Sequence, residues 1–234
     1  MPEAVAAGPS GSERFFKNYV AGFIKKDASR IIKPSSEARL HDFMKLAAQQ
    51  TAQELHYDEL ADEAGIDERT CRKWISLLEK SWIIFLVHPY LRHSSRRIVK
   101  APKLYFMDTG LCAFLCRWPD ARMLANCAMS SAFFETRAVS GIVKNLRSFN
   151  LDPKEWLFRC HDIDGREDCL IHVEADSITP IEFSSGPVPA EPAMNCSFLS
   201  KHGPSIEPGL VFCNTDRIAA AGSGSYFVPA SYLP

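Results

Sequence analysis

The chain has 234 residues, of which 46% are hydrophobic, and a formal net charge of −1. That apolar content supports one large core or two small ones and excludes wholesale disorder, while the near-neutral total excludes a polycation that coats DNA by bulk charge. The charge is unevenly placed: residues 1–65 carry 8 Lys/Arg against 10 Asp/Glu, residues 66–103 carry 9 against 3, and residues 104–234 carry 10 against 15. A local excess of six positive charges between two acidic stretches is the kind of patch that phosphate contacts need, although such patches are often only solvated faces.

Eight cysteines occur without any CxxC spacing. Cys112 and Cys116 stand four apart on an apolar helical pattern with no His beside them, which reads as buried thiols and not as zinc ligands. The N-terminal stretch MPEAVAAGPSGSERF lacks a basic region and a long apolar run, and no segment approaches a membrane span. These features give the expectation of a cytoplasmic chain with reduced cysteines, no membrane partner and no cofactor.

In chain order, residues 1–12 are rich in Ala, Gly, Pro and Ser and read as a disordered leader. From Glu13, the residues Phe15, Phe16, Tyr19, Val20, Phe23 and Ile24 recur at helical spacing, and Lys33-Pro34-Ser35-Ser36 stops the pattern. Ser36 is expected to cap a second helix with Leu40, Phe43, Met44 and Ala47 on its apolar face. Residues 13–53 thus form a helical segment.

The stretch HYDELADEAGIDERTCRKWISLLEK carries the most information. Asp58 to Ala64 suits a short helix, Gly65 supplies the left-handed exit, and Asp67 caps a following helix to about Lys80. In that helix Cys71, Trp74, Ile75 and Leu78 fall on one face at i, i+3, i+4, i+7. Arg69, Arg72, Lys73, Ser76 and Lys80 fall on the other, as a recognition helix requires. The plain alternative is a helical hairpin with a solvated face. Two strand-like runs, SWIIFLVHPYL and IVKAPKLYFM, then flank the polar turn RHSSRR and predict a hairpin. Its tip carries Arg92, His93, Arg96 and Arg97, with Lys100 and Lys103 on the returning strand. A basic wing beside a basic helix can straddle a phosphate backbone, so residues 54–104 read as a winged helix-turn-helix that binds nucleic acid, DNA first. Winged helices also serve as protein-docking modules, and nothing here identifies bases.

The strings TCRKWISLLEKSWIIFLVHPY and RRIVKAPKLYFMDTGLCAFL resemble the C-terminal region of a large family of bacterial and archaeal AAA-type ATPases. In those proteins a P-loop ATPase domain precedes a region long filed as a domain of unknown function. The resemblance runs from about Tyr19 to the C-terminus, including IEFSSG and the terminal GLVFCNTDR and YFVPASYL. It implies an α+β protein: a helical N-terminal segment and winged helix-turn-helix, followed over residues 105–234 by a restriction-endonuclease-like α/β domain similar to PD-(D/E)xK nucleases. The chain departs from the family in having no G-x-x-x-x-G-K-[ST]; GPSGS lacks the Lys, so nucleotide hydrolysis is not expected. A fragment, a truncated product, or a module working with an ATPase partner in trans all fit that absence.

After DTGLCAFL the sequence predicts one long helix from about Ala125 to Leu146, strands at EWLFRC, DCLIHVEAD and ITPIEF, and further strands at PGLVFCN and SYFVPAS with a short helix between them. Asp108-Thr109-Gly110 has the form of an aspartic protease triplet, but its place after the return strand reads as a helix start capped by Asp108. The positions that match the nuclease carboxylates implied by the resemblance are Glu135, Asp168 and Glu182, with Asp168 and Glu182 as the metal ligands if Mg²⁺ is bound. Ser184 stands where the family commonly shows a Lys, and a hydroxyl cannot supply that charge; Arg166 is the nearest candidate replacement. The expected protein is therefore a non-enzymatic nucleic-acid-binding module with a degenerate nuclease-like domain. A residual Mg²⁺-dependent nuclease and a docking module for an ATPase partner are the alternatives. His161 and His172 flank the carboxylate strands, and a lone His there is more often structural.

Overall fold

A computed structural model describes residues 8–90, 101–118, 120–161, 168–186, 188–189, 205–222 and 224–233. The chain is mixed α+β and divides into two compact units, one built from its N-terminal residues to 85 with 104–130, the other from 86–103 with the residues after 130.

The first unit opens with α1 (Gly8–Lys26), a short 3-10 turn (Ala28–Arg30), and α2 (Glu37–Gln49). Residues 8–12, expected within a disordered leader, are helical, while residues 1–7 lie outside the described residues; Phe16, Val20, Phe23 and Ile24 of α1 are buried. Ser36 occupies the cap position of α2 but makes no side-chain capping bond, because residues Pro34–Ser36 already form a 3-10 turn leading into the helix. Leu40, Phe43, Met44 and Ala47 of α2 are all fully buried, as their spacing predicts.

A two-residue strand β1 (Gln53–Glu54) precedes α3 (Tyr57–Ala64) and α4 (Glu68–Lys80). Gly65 leaves α3 in the left-handed conformation (φ 61°, ψ 40°), which a glycine adopts without the Cβ clash of other residues. Asp67 then starts α4, its carboxylate accepting from the Thr70 N–H at 2.9 Å and the Thr70 hydroxyl at 2.7 Å. One stripe of α4, Cys71, Trp74, Ile75 and Leu78, is buried, and Trp74 meets Phe43 of α2 edge-on at 5.2 Å. Burying side chains of this size stabilises by about 1.5–3 kcal/mol each, which is what fixes the helix in place. Strands β2 (Ile84–Val87) and β3 (Lys103–Phe106) follow, and the three strands order as β1–β3–β2. The hairpin's strands are thus shorter than the apolar runs that predict them, and its tip, residues 91–100, lies outside the described residues.

Asp108 caps α5 (Thr109–Leu115), accepting from the Leu111 N–H at 2.8 Å. At Gly110 the ring of Phe16 approaches so closely that an added Cβ would lie 2.9 Å from Phe16 Cζ. Asp120 caps a separate short helix, α6 (Ala121–Ala125), through the N–H groups of Arg122 and Met123, and the Asn126 amide donates to the Arg122 carbonyl at its end. The long helix predicted from about Ala125 to Leu146 is α7 (Ser130–Ser148), which begins at Ser130 after the separate α6.

The second unit holds α7, the short α8 (Pro153–Trp156), and a mixed sheet. Its strands are β4 (Leu157–His161), β5 (Asp168–Glu174), β6 (Ser177–Ser184), β7 (Ser205–Ile206), β8 (Gly209–Cys213), β9 (Ala219–Ala221) and β10 (Ser225–Pro229). Their order is β4–β5–β6–β8–β10–β9, with β7 beside β6. β4, β5 and β6 pair antiparallel, whereas β6, β8 and β10 run parallel to one another. Two apolar clusters line the sheet, one around Cys160, Ile171 and Ile178, the other around Val211, Cys213, Ala221 and Phe227. The segment between β8 and β10, predicted as a short helix, contains the strand β9: pairing with β10 at the sheet edge overrides the helix preference of its alanines.

Candidate nucleic-acid interface

The exposed face of α4 is built by the same periodicity that buries its other stripe. Arg69, Arg72, Lys73 and Lys80 are exposed, and Ser76 is partly so. The four cations are not equivalent. Arg72 donates through Nε and Nη2 to Glu68 Oε1, at 2.8 and 2.6 Å, one turn earlier on the same helix. Its guanidinium also lies 4.1 Å over the ring of Tyr57, the first residue of α3. Lys73 donates from Nζ to the Ile31 carbonyl at 2.8 Å, tying α4 to the connection between α1 and α2. Arg69 and Lys80 make no ion pair among the described residues. Burial lifts the Cys71 thiol, on the opposite stripe, to about 11, so it stays protonated and apolar.

The wing residues Arg92, Arg96, Arg97 and Lys100 lie outside the described residues. Lys103 opens β3, but its Nζ donates to Glu135 Oε1 of α7 at 2.8 Å, and both side chains are largely covered, 17% and 22% exposed. That pairing commits one expected phosphate ligand and one expected carboxylate to each other.

Asp168 opens β5 opposite His161; the side chains of both lie outside the described residues. Glu182 lies in the middle of the sheet on β6, paired with Val211 of β8. The β5–β6 pairing runs from Glu174 with Ser177 to Leu170 with Ile181, so Asp168 and Glu182 both lie beyond its end. Ser184 pairs with Cys213 at the end of β6. Among the described residues, no group of three His, Cys, Asp or Glu side chains is placed to hold a metal ion. His172 stacks on Trp156 at 5.5 Å, and burial holds its imidazole below the usual pKa, as a packed structural His would be.

Four features of this surface and unit go beyond the predicted site residues. The Glu68–Arg72 pair was visible as an i, i+4 spacing, whereas the Tyr57 stack and the Lys73 to Ile31 bond join residues whose approach only the fold creates. A groove of about 790 Å³ in the first unit, with Phe16, Lys17, Phe114, Arg117 and Trp118 among its lining residues, likewise has no local sequence pattern.

Taken as a class, the chain is an α+β protein whose first unit presents a two-sided helix, apolar within and cationic without. Residues 1–122 match the family described as "Domain of unknown function (DUF8612)", and the chain belongs to that family. No curated protein and no solved structure matches the chain. The matched residues include all of α4 and both hairpin strands; Glu135, Asp168 and Glu182 lie beyond them.

Proposed function

We propose that residues 54–104 form a winged helix that binds nucleic acid through α4, with DNA the first partner to test, and that the chain is a binding module and not an enzyme. The observation that carries this reading is the division of α4 into a buried stripe and an exposed cationic one. The surrounding order of elements, helix–strand–helix–helix–strand–strand from α2 to β3, supports it. A helix anchored in this way can lay its outer stripe in a major groove. Arg92, Arg96, Arg97 and Lys100, the wing residues of this reading, lie outside the described residues.

Residues 105–234 are read as a nuclease-like fold that has lost its chemistry. Metal-assisted hydrolysis needs clustered hard oxygen ligands and a neighbouring cation. Here Ser184 replaces the Lys and the Glu135 charge is spent on Lys103. The resemblance to ATPase C-terminal regions makes an ATPase partner in trans the natural second ligand.

The test is a duplex-binding titration of the full chain beside its Arg69→Gln, Lys80→Gln double variant, with Mg²⁺ and Mn²⁺ cleavage assays in parallel. Binding that weakens in the variant, without cleavage, is expected. Binding indifferent to both residues removes α4 as the interface, and metal-dependent cleavage by the wild type contradicts the non-enzymatic reading.

A further inference from the structure

We infer that the nucleic-acid surface continues from α4 onto the connection between α1 and α2, where Arg30 and Lys33 hold a second stretch of phosphodiester backbone. The inference rests on the reading of α4 given above and adds a direction to it. Two contacts mark the flanks of α4's exposed face. On one flank Arg72 lies over Tyr57, at the start of α3, and α3 exposes Asp58, Glu59, Asp62 and Glu63. On the other, Lys73 Nζ donates to the Ile31 carbonyl at 2.8 Å. Ile31 sits within residues 25–33, where Lys25, Lys26, Arg30 and Lys33 are all exposed and Asp27 is the sole carboxylate.

A polyanion laid along α4 therefore meets four carboxylates on the α3 side and a net positive strip on the Ile31 side. Like charges repel and opposite charges attract over roughly 10 Å at ordinary ionic strength, so the backbone is steered towards the connection. Lys25 and Lys26 have a structural use, since cations in the last turn of α1 face its negative end. Arg30 and Lys33 flank the carbonyl that Lys73 holds.

The connection is also pre-formed. Ala28 and Ile32 are buried, the N–H groups of Ile31 and Ile32 donate to the Ala28 carbonyl at 2.8 and 2.9 Å, and the Ser29 hydroxyl donates to the Lys25 carbonyl at 2.7 Å. A ligand that binds a held segment avoids the entropy of ordering it. Lys73 is here a positioning residue, acting on phosphate through the segment it fixes.

The experiment compares full-length wild type, Arg30→Gln/Lys33→Gln, Asp58→Asn/Glu59→Gln and Arg69→Gln, binding a labelled duplex across a salt series. All three variants are expected to stay folded, because the altered side chains are exposed, with the Asp58/Glu59 variant losing only the small stabilisation of carboxylates in the first turn of α3. The Arg30/Lys33 variant should lose on the order of tenfold in affinity, and its log–log salt slope should shrink by about 0.9 for each contact removed. The Asp58/Glu59 variant should bind as tightly as wild type or more tightly. Wild-type affinity and slope in the Arg30/Lys33 variant, with Arg69→Gln weakened, would overturn this inference alone. Weakened binding in the Asp58/Glu59 variant would overturn the direction assigned to it. A wild type that does not bind the duplex at low salt removes both this inference and the α4 reading beneath it.

Discussion

Arg69 and Arg72 stand three residues apart on the same exposed face, yet they offer different amounts of charge to a ligand. Arg72 must leave Glu68 and Tyr57 to reach a phosphate, whereas Arg69 has no ion pair to break among the described residues. An exposed i, i+4 pair is worth only about 0.3–0.5 kcal/mol, but its carboxylate also neutralises part of the arginine's field. Arg69→Gln is therefore expected to weaken duplex binding by about 1–3 kcal/mol, and Arg72→Gln by less; anisotropy titrations showing the reverse order contradict this account of the face. Gly110 is constrained from outside its own helix by the Phe16 ring. Gly110→Ala should destabilise the fold by about 1–3 kcal/mol in urea unfolding, as overpacking does, and an unchanged midpoint means that the α1–α5 contact relaxes freely. Asp67 gives a pH dependence. The Thr70 hydroxyl first, and then the Thr70 N–H, hold its carboxyl below the ordinary value of 3.8. The stabilisation is therefore complete above that value and is lost as pH falls through the lower folded one. Below about pH 4, the thermal midpoint of wild type should fall towards that of Asp67→Ala, and parallel acid profiles would show that the cap contributes nothing.

At the scale of elements, the Lys103–Glu135 pair joins β3 to α7 with both charges largely covered. Removing one partner leaves the other charge poorly solvated. Each of Lys103→Met and Glu135→Gln should cost about 1–3 kcal/mol, and the double variant less than their sum, because a covered pair is worth less than the penalty for halving it. Additive losses in a double-mutant cycle would mean that the two side chains do not depend on each other. The helices differ in how far the sequence foretells them. α4 is legible almost to the residue: a capping Asp, a Gly before it, and a three-four spacing of apolar residues are all local. Strands β4, β5, β6, β8 and β10 are legible as β-branched and aromatic runs. β9 is not, because three alanines become a strand only when an edge of the sheet is there to pair with them. The short α6 is bounded by Asp120 at its start and Asn126 at its end, both bonding nearby backbone, a competition that apolar spacing does not record.

For the whole molecule, the net charge of −1 conceals a first unit whose α4 and α1–α2 connection are cationic beside an acidic α3. The sequence shows the excess of positive charge after residue 65, but not that Lys73 ties that stretch to Ile31, forty-two residues earlier in the chain. It equally shows Glu135, Asp168 and Glu182 as carboxylates without showing that Lys103 takes the first. Long-range pairings of this kind decide which charges remain available to a ligand, and they are why the candidate site was only partly legible. The central claim is that this charge distribution binds a polyanion, and it is tested most directly by the affinity of the full chain for a labelled duplex between about 50 and 200 mM salt. With several phosphates neutralised, log affinity should fall linearly with log salt at a slope of about −0.9 per contact. A flat profile, or no binding at the lowest salt, contradicts the claim and redirects attention to an acidic protein partner for the same face.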